Sequence, residues 1–590
     1  MHCVEEKKSI FVPWLRPCTD THHPSRRVMG TCTSTAVETT PPVSSPRGPQ
    51  LGDKLATGTL HGTLVAMAGP GSAVWSKYRK EKKLGSGLAG SVYSVVSKAT
   101  GDRFALKVVS KRDLDSSMKE RLLLEIELMK RVDHPHVIRL YEVYDDPKHL
   151  CMVMELCEGR ELYDHLIEDH GGKYDEAGAA NITRQMLSAV AHCHQLGICH
   201  RDIKLENFVF VSKDKTDETQ MKLIDFGLSK TYRRDRDMSS IVGTPYYIAP
   251  ELLKVAKNKG SMYGPECDQW SLGVIAYMLL AGQPPFGGDT DREIMKNVQS
   301  APLRFAPSKL WAHVSADAKD LVKKLLDRNP SRRISAEDAL QHPWMVNART
   351  RDVGPRSSEI EAGVLSSLQQ FSLATQFKRT AQQVIAFHLT SHEIGDLRTA
   401  FERIDEDSTG LVNWNEFVSC VRSNLPDEGE DDQSRRDAIL ADFRKVFDLV
   451  DQGNTGRISY LEFLAATLQD RTFTNEARLE QAFGQMDLDH SGFITIPNLQ
   501  VLLGDEYSKE SLAAMIDEVD QERDGRISFD EFCAAMRSEA RRPGSAGKRE
   551  GERVATPTAC EADATAGAGA EAAAADVDGA AADDGAATKT

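Results

Sequence analysis

Four copies of one acidic loop are the feature that most constrains how this chain folds. Each copy starts at an aspartate, has a glycine at its sixth position and has an apolar residue at its eighth. The four starting residues are spaced by 46, 36 and 33 positions: Asp405, Asp451, Asp487 and Asp520. Such self-similarity, with apolar-periodic flanks, indicates tandem helix–loop–helix units. The apolar eighth positions predict that the first loop pairs with the second, and the third with the fourth.

Oxygen-bearing residues lie at the alternate positions from which such a loop surrounds a hard cation such as Ca²⁺. The first loop offers Asp405, Asp407, Thr409, the Leu411 carbonyl and Glu416. The fourth offers Asp520, Glu522, Asp524, the Arg526 carbonyl and Glu531. Gly453 leaves the second loop without one side-chain oxygen, and Asn498 replaces the bidentate glutamate of the third. We therefore expect weaker binding from Asp451, Thr455 and Glu462 and from Asp487, Asp489 and Ser491.

Composition narrows the class of protein. Among 590 residues, 88 acidic side chains exceed 73 basic ones, for a net charge of −15, which argues against a nucleic-acid partner. The longest nearly uninterrupted apolar run, residues 274–281, is far too short to span a bilayer. Eleven scattered cysteines without a CxxC pair indicate a reducing compartment, so we expect a cytoplasmic protein.

Changes in composition divide the chain into five parts. Residues 1–74 are rich in Thr, Ser, Pro and Gly and are expected to be disordered. Residues 78–344 have short strand patterns followed by helical ones, and residues 345–395 form a connector with an amphipathic stretch. The repeats occupy residues 396–540. Residues 541–590 are a low-complexity tail of Ala, Gly and Asp.

Near the start of the folded region, a glycine-rich turn precedes a lysine on a predicted strand. The contact positions of this G-x-G-x-x-G-x-V pattern are Leu84, Gly85, Gly87, Gly90 and Val92. Glycine in such a turn lets the backbone approach phosphates closely. Lys107 lies among apolar neighbours, where an ammonium group requires a counter-charge. Glu125, on the next helical segment, can supply that charge.

Three further motifs complete the set: His200 to Asn207 (HRDIKLEN), Asp225 to Gly227 (DFG) and Ala249 to Glu251 (APE). With them, residues 78–344 resemble a protein kinase. The resemblance implies an α+β bilobal fold that binds ATP between its lobes, followed by the all-α repeats. It also implies that Asp202 orients the substrate hydroxyl and that Lys204 contacts the γ-phosphate.

The same resemblance assigns further residues. It implies that Asn207 and Asp225 hold Mg²⁺, and that the hinge after Met154, with Glu155 and Cys157, contacts adenine. Lys204 together with residues 243–245 (GTP) favours Ser/Thr over Tyr substrates. Acidic residues at two matching positions, Glu161 and Glu206, predict a preference for a basic residue upstream of the phosphorylated hydroxyl in protein substrates. Glu251 is expected to pair with Arg333, and the chain is expected to be a monomer.

A kinase domain followed by a connector and four EF-hands resembles the calcium-dependent protein kinase family of plants and protists. The resemblance implies that the connector inhibits the kinase until calcium rearranges it, with residues 371–389 as the switch helix. Arg351, Lys378 and Arg379 could then meet an acidic surface. Three alternatives stay open: a passive connector, a non-catalytic calcium-sensing scaffold, and a constitutive kinase whose EF-hands are structural.

Two modification sites are expected from local patterns. Ser240 lies where a phosphate would pair with Arg201. Residues 29–34 (MGTCTS) fit the myristoylation pattern if translation begins at Met29. Gly30 would then carry the acyl chain, and Cys32 could take a palmitate as the second anchor that stable membrane attachment requires.

Overall fold

The structure is a computed structural model, and it describes most of the kinase-like and repeat regions. The described residues are 64–68, 74–87, 90–214, 220–227, 229–231, 245–255, 264–352, 358–424, 433–468, 473, 475–504 and 507–538. The predictions for Gly30, Cys32 and Ser240 and for the tail after Arg541 fall outside these residues.

The N-terminal lobe is a twisted sheet with one long helix against it. Its elements are β1 (Ala66–Ala68), α1 (Val74–Lys77), β2 (Tyr78–Gly87), β3 (Gly90–Ser97), β4 (Arg103–Ser110), α2 (Ser116–Met129), β5 (Leu140–Asp145) and β6 (His149–Met154). The strand order is β1-β5-β6-β4-β3-β2. Helix α2 starts at Asp115, whose side chain accepts a hydrogen bond from the Met118 N–H, an N-cap that satisfies an otherwise unpaired donor.

The sheet includes residues from the segment that the sequence predicts to be disordered. Strand β1 pairs in parallel with β5, with Ala66 opposite Glu142 and Ala68 opposite Tyr144. Leu64 and Val65, just before it, are buried in the core. Disorder throughout residues 1–74 is therefore wrong for this short segment, because its strand partner lies far along the chain and leaves no local signal.

The C-terminal lobe is mainly helical. Its α-helices and strands are α3 (Leu162–Asp164), α4 (Glu176–Gln195), β7 (Ile198–Cys199), β8 (Phe208–Phe210), β9 (Met221–Leu223), β10 (Lys230–Thr231), α5 (Pro250–Val255), α6 (Glu266–Ala281), α7 (Asp291–Ser300), α8 (Ser308–Trp311), α9 (Ala316–Leu325), α10 (Ala336–Leu340) and α11 (Pro343–Asp352). Helix α6 is buried along its whole length from Cys267 to Ala281, so it forms the centre of this lobe.

The connector and the repeats form a mainly helical region that also contains two short strands. The elements are α12 (Ser358–Leu373), α13 (Gln376–His388), α14 (Gly395–Ile404), β11 (Leu411–Asn413), α15 (Trp414–Ser423), α16 (Gln433–Val450), β12 (Arg457–Ser459), α17 (Tyr460–Thr467), α18 (Glu476–Met486), α19 (Ile496–Leu503), α20 (Lys509–Asp517) and α21 (Phe529–Arg537). Helix α12 contacts α16 and α17, whereas α13 contacts α17, α18, α20 and α21. The repeats therefore enclose the connector.

The expected continuous switch helix over residues 371–389 is wrong. Helix α12 ends at Leu373, and α13 starts after Thr375, whose hydroxyl accepts from the Lys378 N–H. The cap ends one helix and starts the next because it satisfies backbone donors that have no helical partner. Thr380 to His388 are all buried, which stabilises α13 by roughly 1.5–3 kcal/mol for each large apolar side chain.

Two basic residues of the connector donate hydrogen bonds to backbone carbonyls. Lys378 donates to the Ser538 carbonyl at 2.6 Å, and Arg379 donates to the Ala374 carbonyl at 3.2 Å. Burial lowers the pKa of Arg379. Lys378 thus binds a backbone carbonyl of the repeat region and Arg379 one of the connector itself, while the side chain of Arg351 lies outside the described residues.

The loops pair as the sequence predicts. Strands β11 and β12 join the first two loops, with Val412 opposite Ile458. Ile494 and Ile527 join the third and fourth through reciprocal backbone bonds of 2.8 and 2.9 Å. Each helix within the described ranges is too short or too polar to cross a membrane.

Candidate active site and calcium-binding loops

Lys107, Glu125 and Asp225 meet at the cleft between the lobes. Lys107 Nζ on β4 lies 2.6 Å from Glu125 Oε1 on α2. Burial raises the pKa of Glu125 in spite of the ammonium group beside it. Burial acts in the same direction on Asp225, but Lys107 and the Gly227 N–H outweigh it and hold the pKa of Asp225 below its usual value. The cleft thus contains a formed ion pair next to a carboxylate that stays ionised.

The catalytic-loop residues converge on one carboxylate. Lys204 Nζ lies 2.6 Å from Asp202 Oδ2. Asn207 Nδ2 donates to the Asp202 carbonyl at 2.7 Å and to its Oδ2 at 3.2 Å. Because the Asn207 amide nitrogen is used in this way, its oxygen is the atom suited to a cation. The side chains of Asn207 and Asp225 therefore fit a divalent metal that requires hard oxygen ligands.

Buried Asp268, at the start of α6, holds this loop in place. It accepts from the backbone N–H groups of His200 and Arg201, each at 2.8 Å, and from His194 Nε2 at 2.8 Å. Arg201 has φ +68°, a conformation that costs free energy for a residue with a side chain. The hydrogen bonds to Asp268 offset that cost and so fix the position of Asp202.

The glycine-rich turn is shaped by its own lobe. Gly90 has φ +119°, and a Cβ there would lie 2.3 Å from the Val108 carbonyl oxygen. Glycine is thus required at this position by backbone approach between β3 and β4. Gly85 has open space around it, Leu84 is exposed, and Val92 is half-buried. The sequence predicts glycine here because the backbone must approach phosphates closely. At Gly90 the packing of β3 against β4 requires glycine as well.

Glu155 in the hinge faces away from the cleft. Its Oε2 lies 2.9 Å from Lys222 Nζ, and its Oε1 accepts from the Ser391 hydroxyl of the connector. Its backbone N–H donates to the Arg139 carbonyl at 2.9 Å. Only the carbonyl of Glu155 is therefore suited to face a base in the cleft. Burial raises the pKa of the Cys157 thiol, so this side chain is neutral.

An acidic cluster lies beside the catalytic loop. Burial raises the pKa of Glu161, and the neighbouring carboxylates of Asp164 and Glu206 raise it further. Burial likewise raises the pKa of Glu206. Carboxylates held this close are stabilised by a bound cation, so the cluster suits an arginine or lysine of another peptide.

The structural ion pair expected in the C-terminal lobe is confirmed. Arg333 binds Glu251 in a bidentate manner, with N···O distances of 2.6 and 2.9 Å. Its guanidinium also lies over the Trp270 ring at 5.3 Å. This planar geometry suits arginine and not lysine, and it anchors the start of α5 to the lobe.

The first acidic loop brings its carboxylates together. Single oxygens of Asp405, Asp407 and Glu416 all lie within 4.8 Å of one another. Burial raises the pKa of Glu416 to about 7, and Asp407 adds to this effect. Burial and the same carboxylates raise the pKa of Asp405 well above its usual value. A cation at their centre would relieve this repulsion, so the loop fits Ca²⁺. The Thr409 hydroxyl donates to the Leu411 carbonyl at 3.3 Å, so these two candidate ligands also lie close together.

All four loops share one backbone form. The fourth position has a positive φ in each loop, at Ser408, Asn454, His490 and Arg523, as does the glycine at the sixth. The starting aspartate accepts from the glycine N–H in each case, at 2.7 to 2.8 Å. The third and fourth loops differ in their last residue: Asn498 donates to Asp489 at 3.4 Å, whereas Glu531 accepts from the Glu522 N–H at 3.1 Å.

The weaker loops keep this scaffold with fewer oxygens. In the second loop, the Thr455 hydroxyl donates to Asp451 Oδ1 at 3.3 Å. Burial raises the pKa of Glu462 in that loop to about 7. In the third loop, Ser491 lies 3.2 Å from Asp487.

In the fourth loop, which was expected to bind well, Asp524 Oδ2 accepts from Arg526 Nε at 2.7 Å, so one candidate ligand is already paired with a cation.

The rear of the kinase hinge contacts the connector and repeats through a buried set of residues, which we call the rear surface: Asp133, Arg139, Tyr141, Glu155 and Lys222. Arg139 donates to the Phe387 carbonyl at 3.3 Å, and Tyr141 donates to the Leu389 carbonyl at 3.4 Å. These carbonyls end α13, where backbone acceptors lack helical partners and a cation is favoured. The Leu461 N–H of α17 donates to Asp133 at 2.6 Å.

Sequence reasoning missed the rear surface and Arg478. Arg478, at the start of α18, pairs with Asp102 in the N-terminal lobe and with Glu393 after the connector, at 2.7 Å in each case. The only available signal was a basic residue within the apolar face of a helix. Nothing in one sequence shows that its partners lie 85 residues (Glu393) and several hundred residues (Asp102) earlier in the chain.

Comparison with known proteins agrees with this division of the chain. Residues 78–345 match the protein kinase domain family, and residues 395–468 and 476–537 match the EF-hand domain pair family. The chain is 36% identical to calcium-dependent protein kinase 32 of Arabidopsis thaliana, covering 80% of this chain and 85% of that protein. It is 39% identical to calcium-dependent protein kinase SK5 of Glycine max (78% and 86%). It is 36% identical to calcium-dependent protein kinase 5 of Plasmodium falciparum (77% and 76%).

Proposed function

The chain belongs to the calcium-dependent protein kinase family, and from that premise we propose how calcium controls its catalysis. It is a calcium-activated serine/threonine protein kinase that uses ATP and a divalent metal. In our proposal, calcium binding to the EF-hands keeps the connector enclosed among them and away from the catalytic cleft. The observation that carries this is the burial of Thr380 to His388 within the repeat region.

Within the cleft, we assign each residue a role in phosphoryl transfer. Asp202 orients the substrate hydroxyl and accepts its proton, while Lys204 leaves Asp202 to contact the γ-phosphate. Lys107, oriented by Glu125, holds the α- and β-phosphates below the glycine-rich turn. Asn207 and Asp225 would hold the metal, which we propose is Mg²⁺. When bound, it neutralises charge that develops on the β- and γ-phosphates.

The docked position of the repeats supports an active conformation. The Lys107–Glu125 pair that kinases require is formed, while Glu155, Arg139 and Tyr141 bind the connector behind the hinge. We propose that these rear contacts favour the lobe arrangement in which that pair forms. Shifting such an equilibrium from 1:99 to 99:1 requires about 5.5 kcal/mol. One calcium site at 100-fold saturation supplies about 2.7 kcal/mol, so two sites are the minimum.

Removing a bidentate ligand from either of the sounder loops should blunt activation. Glu416→Gln or Glu531→Gln should each lower the calcium-stimulated rate by about twofold, because one remaining site supplies only about half the required free energy and shifts the equilibrium to about 1:1. The measurement is transfer of ³²P from ATP to a protein substrate across a calcium titration, with a chelator as the zero point. Glu480→Gln, on a helix of the same region but outside the loops, is the control. Normal activation of both loop variants would refute the switch, and equal rates with calcium and with chelator would favour the constitutive alternative.

The acidic cluster supports a preference for basic substrates. We propose that Glu161 and Glu206 bind an arginine or lysine upstream of the phosphorylated hydroxyl. In a peptide library, basic residues should be enriched there about tenfold, since a charge-assisted hydrogen bond contributes about 1.5–3 kcal/mol. Glu161→Gln should reduce that enrichment. A library without any basic preference would remove the assignment.

Location and state complete the proposal. We propose a cytoplasmic monomer that attaches to membranes when translation starts at Met29 and Gly30 and Cys32 are acylated. The supporting pattern is the MGTCTS segment at residues 29–34. Mass spectrometry of the native N-terminus should then find a fatty acyl group on Gly30. An unmodified N-terminus would exclude this anchor, and sedimentation would test the monomer.

A further inference from the structure

The first acidic loop differs from the other three in what covers its tip. Its sixth-position glycine, Gly410, is buried, whereas the corresponding glycines of the other loops, Gly456, Gly492 and Gly525, are exposed. Ser408 and Thr409 beside it are 7% and 2% exposed. The covering residues belong to the kinase domain: His134 lies between α2 and β5 of the N-terminal lobe, and Ser188 lies on α4 of the C-terminal lobe.

A directional chain of hydrogen bonds links kinase helix α4 to the loop tip. The Ser188 hydroxyl donates to the Ser408 carbonyl at 2.6 Å. With its hydrogen so used, this hydroxyl accepts from His134 Nε2 at 3.0 Å. His134 Nδ1 in turn accepts from the His136 N–H at 3.0 Å. Each donor faces one acceptor along this chain, so a neutral His134 with its proton on Nε2 satisfies every bond.

The contact also matches in shape. Gly410 lies against the His134 ring, and a Cβ at Gly410 would come within 2.1 Å of His134 Cδ2. Gln341 of the kinase domain binds the loop itself, and Arg349, on α11 just after that domain, binds the residues that precede the loop. Gln341 donates to the Asp407 carbonyl at 3.4 Å, and Arg349 donates to the Arg403 carbonyl at 2.9 Å. The kinase domain therefore fixes the loop backbone at its third, fourth and sixth positions, between residues that offer oxygens to the ion.

We propose that Ser188 and His134 are positioning residues of the first calcium site, so that docking of the loop on the kinase domain raises the calcium affinity of that site. Ser408, which they hold, lies between the candidate ligands Asp407 and Thr409 and has a positive φ of 55°. Fixing this conformation in advance lowers the entropic cost of binding. By linkage, calcium at this site stabilises the docked kinase by the same factor. The inference rests on the proposed function and identifies the first loop as the one whose tip contacts the kinase domain.

The test follows the first site in the full-length chain. Trp414 is the only tryptophan of the repeats and lies within the first loop, so luminescence of Tb³⁺ excited through it reports ion binding there, with Trp414→Phe confirming the origin of the signal. Ser188→Ala should raise the Tb³⁺ concentration for half-saturation about three- to tenfold, the effect of one lost hydrogen bond. It should raise the half-activating calcium concentration similarly and leave the maximal rate unchanged. Thr183→Ala, which removes a hydroxyl bonded to Ala179 within the same helix, should leave both midpoints in place.

A second pair of variants separates docking from backbone strain. Gly410→Ala and Gly456→Ala have nearly equal φ, +78° and +77°, but only the first meets the His134 ring, since the second has open space. Gly410→Ala should therefore weaken calcium activation more. Adding His134→Ala should improve the Gly410→Ala variant, although the same change weakens the otherwise unaltered chain. This reversal of sign requires direct contact.

The outcomes separate this inference from the proposed function. Unchanged Tb³⁺ midpoints in Ser188→Ala, with no rescue by His134→Ala, would overturn the inference while calcium activation stands. A shift of the Tb³⁺ midpoint in a chain whose kinase rate ignores calcium would support the inference and refute the proposed function.

Discussion

Asp202→Asn should lower kcat by about 10²- to 10⁴-fold, the usual range for removal of a general acid–base group. Asparagine has the same shape and can still accept a hydrogen bond from Lys204, which lies 2.6 Å from the carboxylate. It cannot take up the proton that leaves the substrate hydroxyl. Single-turnover transfer of ³²P from ATP, at saturating calcium, measures the loss in the chemical step.

Two controls test whether the loss of rate arises in the catalytic loop. The Tb³⁺ luminescence excited through Trp414 should have the same midpoint in Asp202→Asn as in the parent, because the loops and the cleft bind different ions. Asp175→Asn should keep its full rate, since asparagine also caps a helix and Asp175 caps α4. A kcat within twofold of the parent in Asp202→Asn would show that Asp202 is not the group that accepts the proton of the substrate hydroxyl.

Local pattern accounts for what the sequence predicts well. Lys107 and Glu125 are 18 residues apart, and the Asp202, Lys204 and Asn207 cluster spans six positions, so short motifs carry these sites. The loop ligands repeat at fixed positions for the same reason. Backbone strain at Ser408 or Arg523 was not predictable, because the residues at the fourth position of the loops share no side-chain type.

Contacts between distant residues explain the rest. Asp268 holds the backbone of His200 from 68 residues away, and Leu461 binds Asp133 across 328 residues. Periodicity describes which face of a helix is apolar but not which surface covers it. The break before Thr375 was missed because a single threonine cap interrupts an apolar pattern that continues on both sides.

The same limit conceals the contact for which we expect the second large effect. Arg478 is 5% exposed and holds two carboxylates from separate parts of the chain, Asp102 at the β3–β4 turn and Glu393 after the connector. Arg478 Nη2 donates to both carboxylate oxygens of Glu393, at 2.7 and 2.8 Å. Arg478 thus joins the C-terminal pair of EF-hands to the N-terminal lobe.

Arg478→Ala should uncouple calcium binding from activation. Removal of one partner from a buried ion pair costs about 3 kcal/mol at the lower end of its range, which applies here because Glu393 is about one-third exposed. That free energy corresponds to roughly a 100-fold fall in the ratio of docked to undocked enzyme. From a ratio of 99:1 this leaves about 1:1, so the rate at saturating calcium should fall about twofold, and the half-activating concentration should rise.

Matched variants distinguish lost docking from lost folding. Arg444→Ala removes an exposed arginine that pairs with Asp448 in the N-terminal EF-hand pair and should change activation little, since exposed pairs contribute about 0–1 kcal/mol. Adding Asp102→Asn and Glu393→Gln to Arg478→Ala should recover part of the activation, because no buried carboxylate is then left without its cation. Hydrogen exchange at residues 97–102 should quicken in Arg478→Ala alone. An activation curve identical to that of the parent would show that calcium acts on the N-terminal lobe through the rear surface and does not require Arg478.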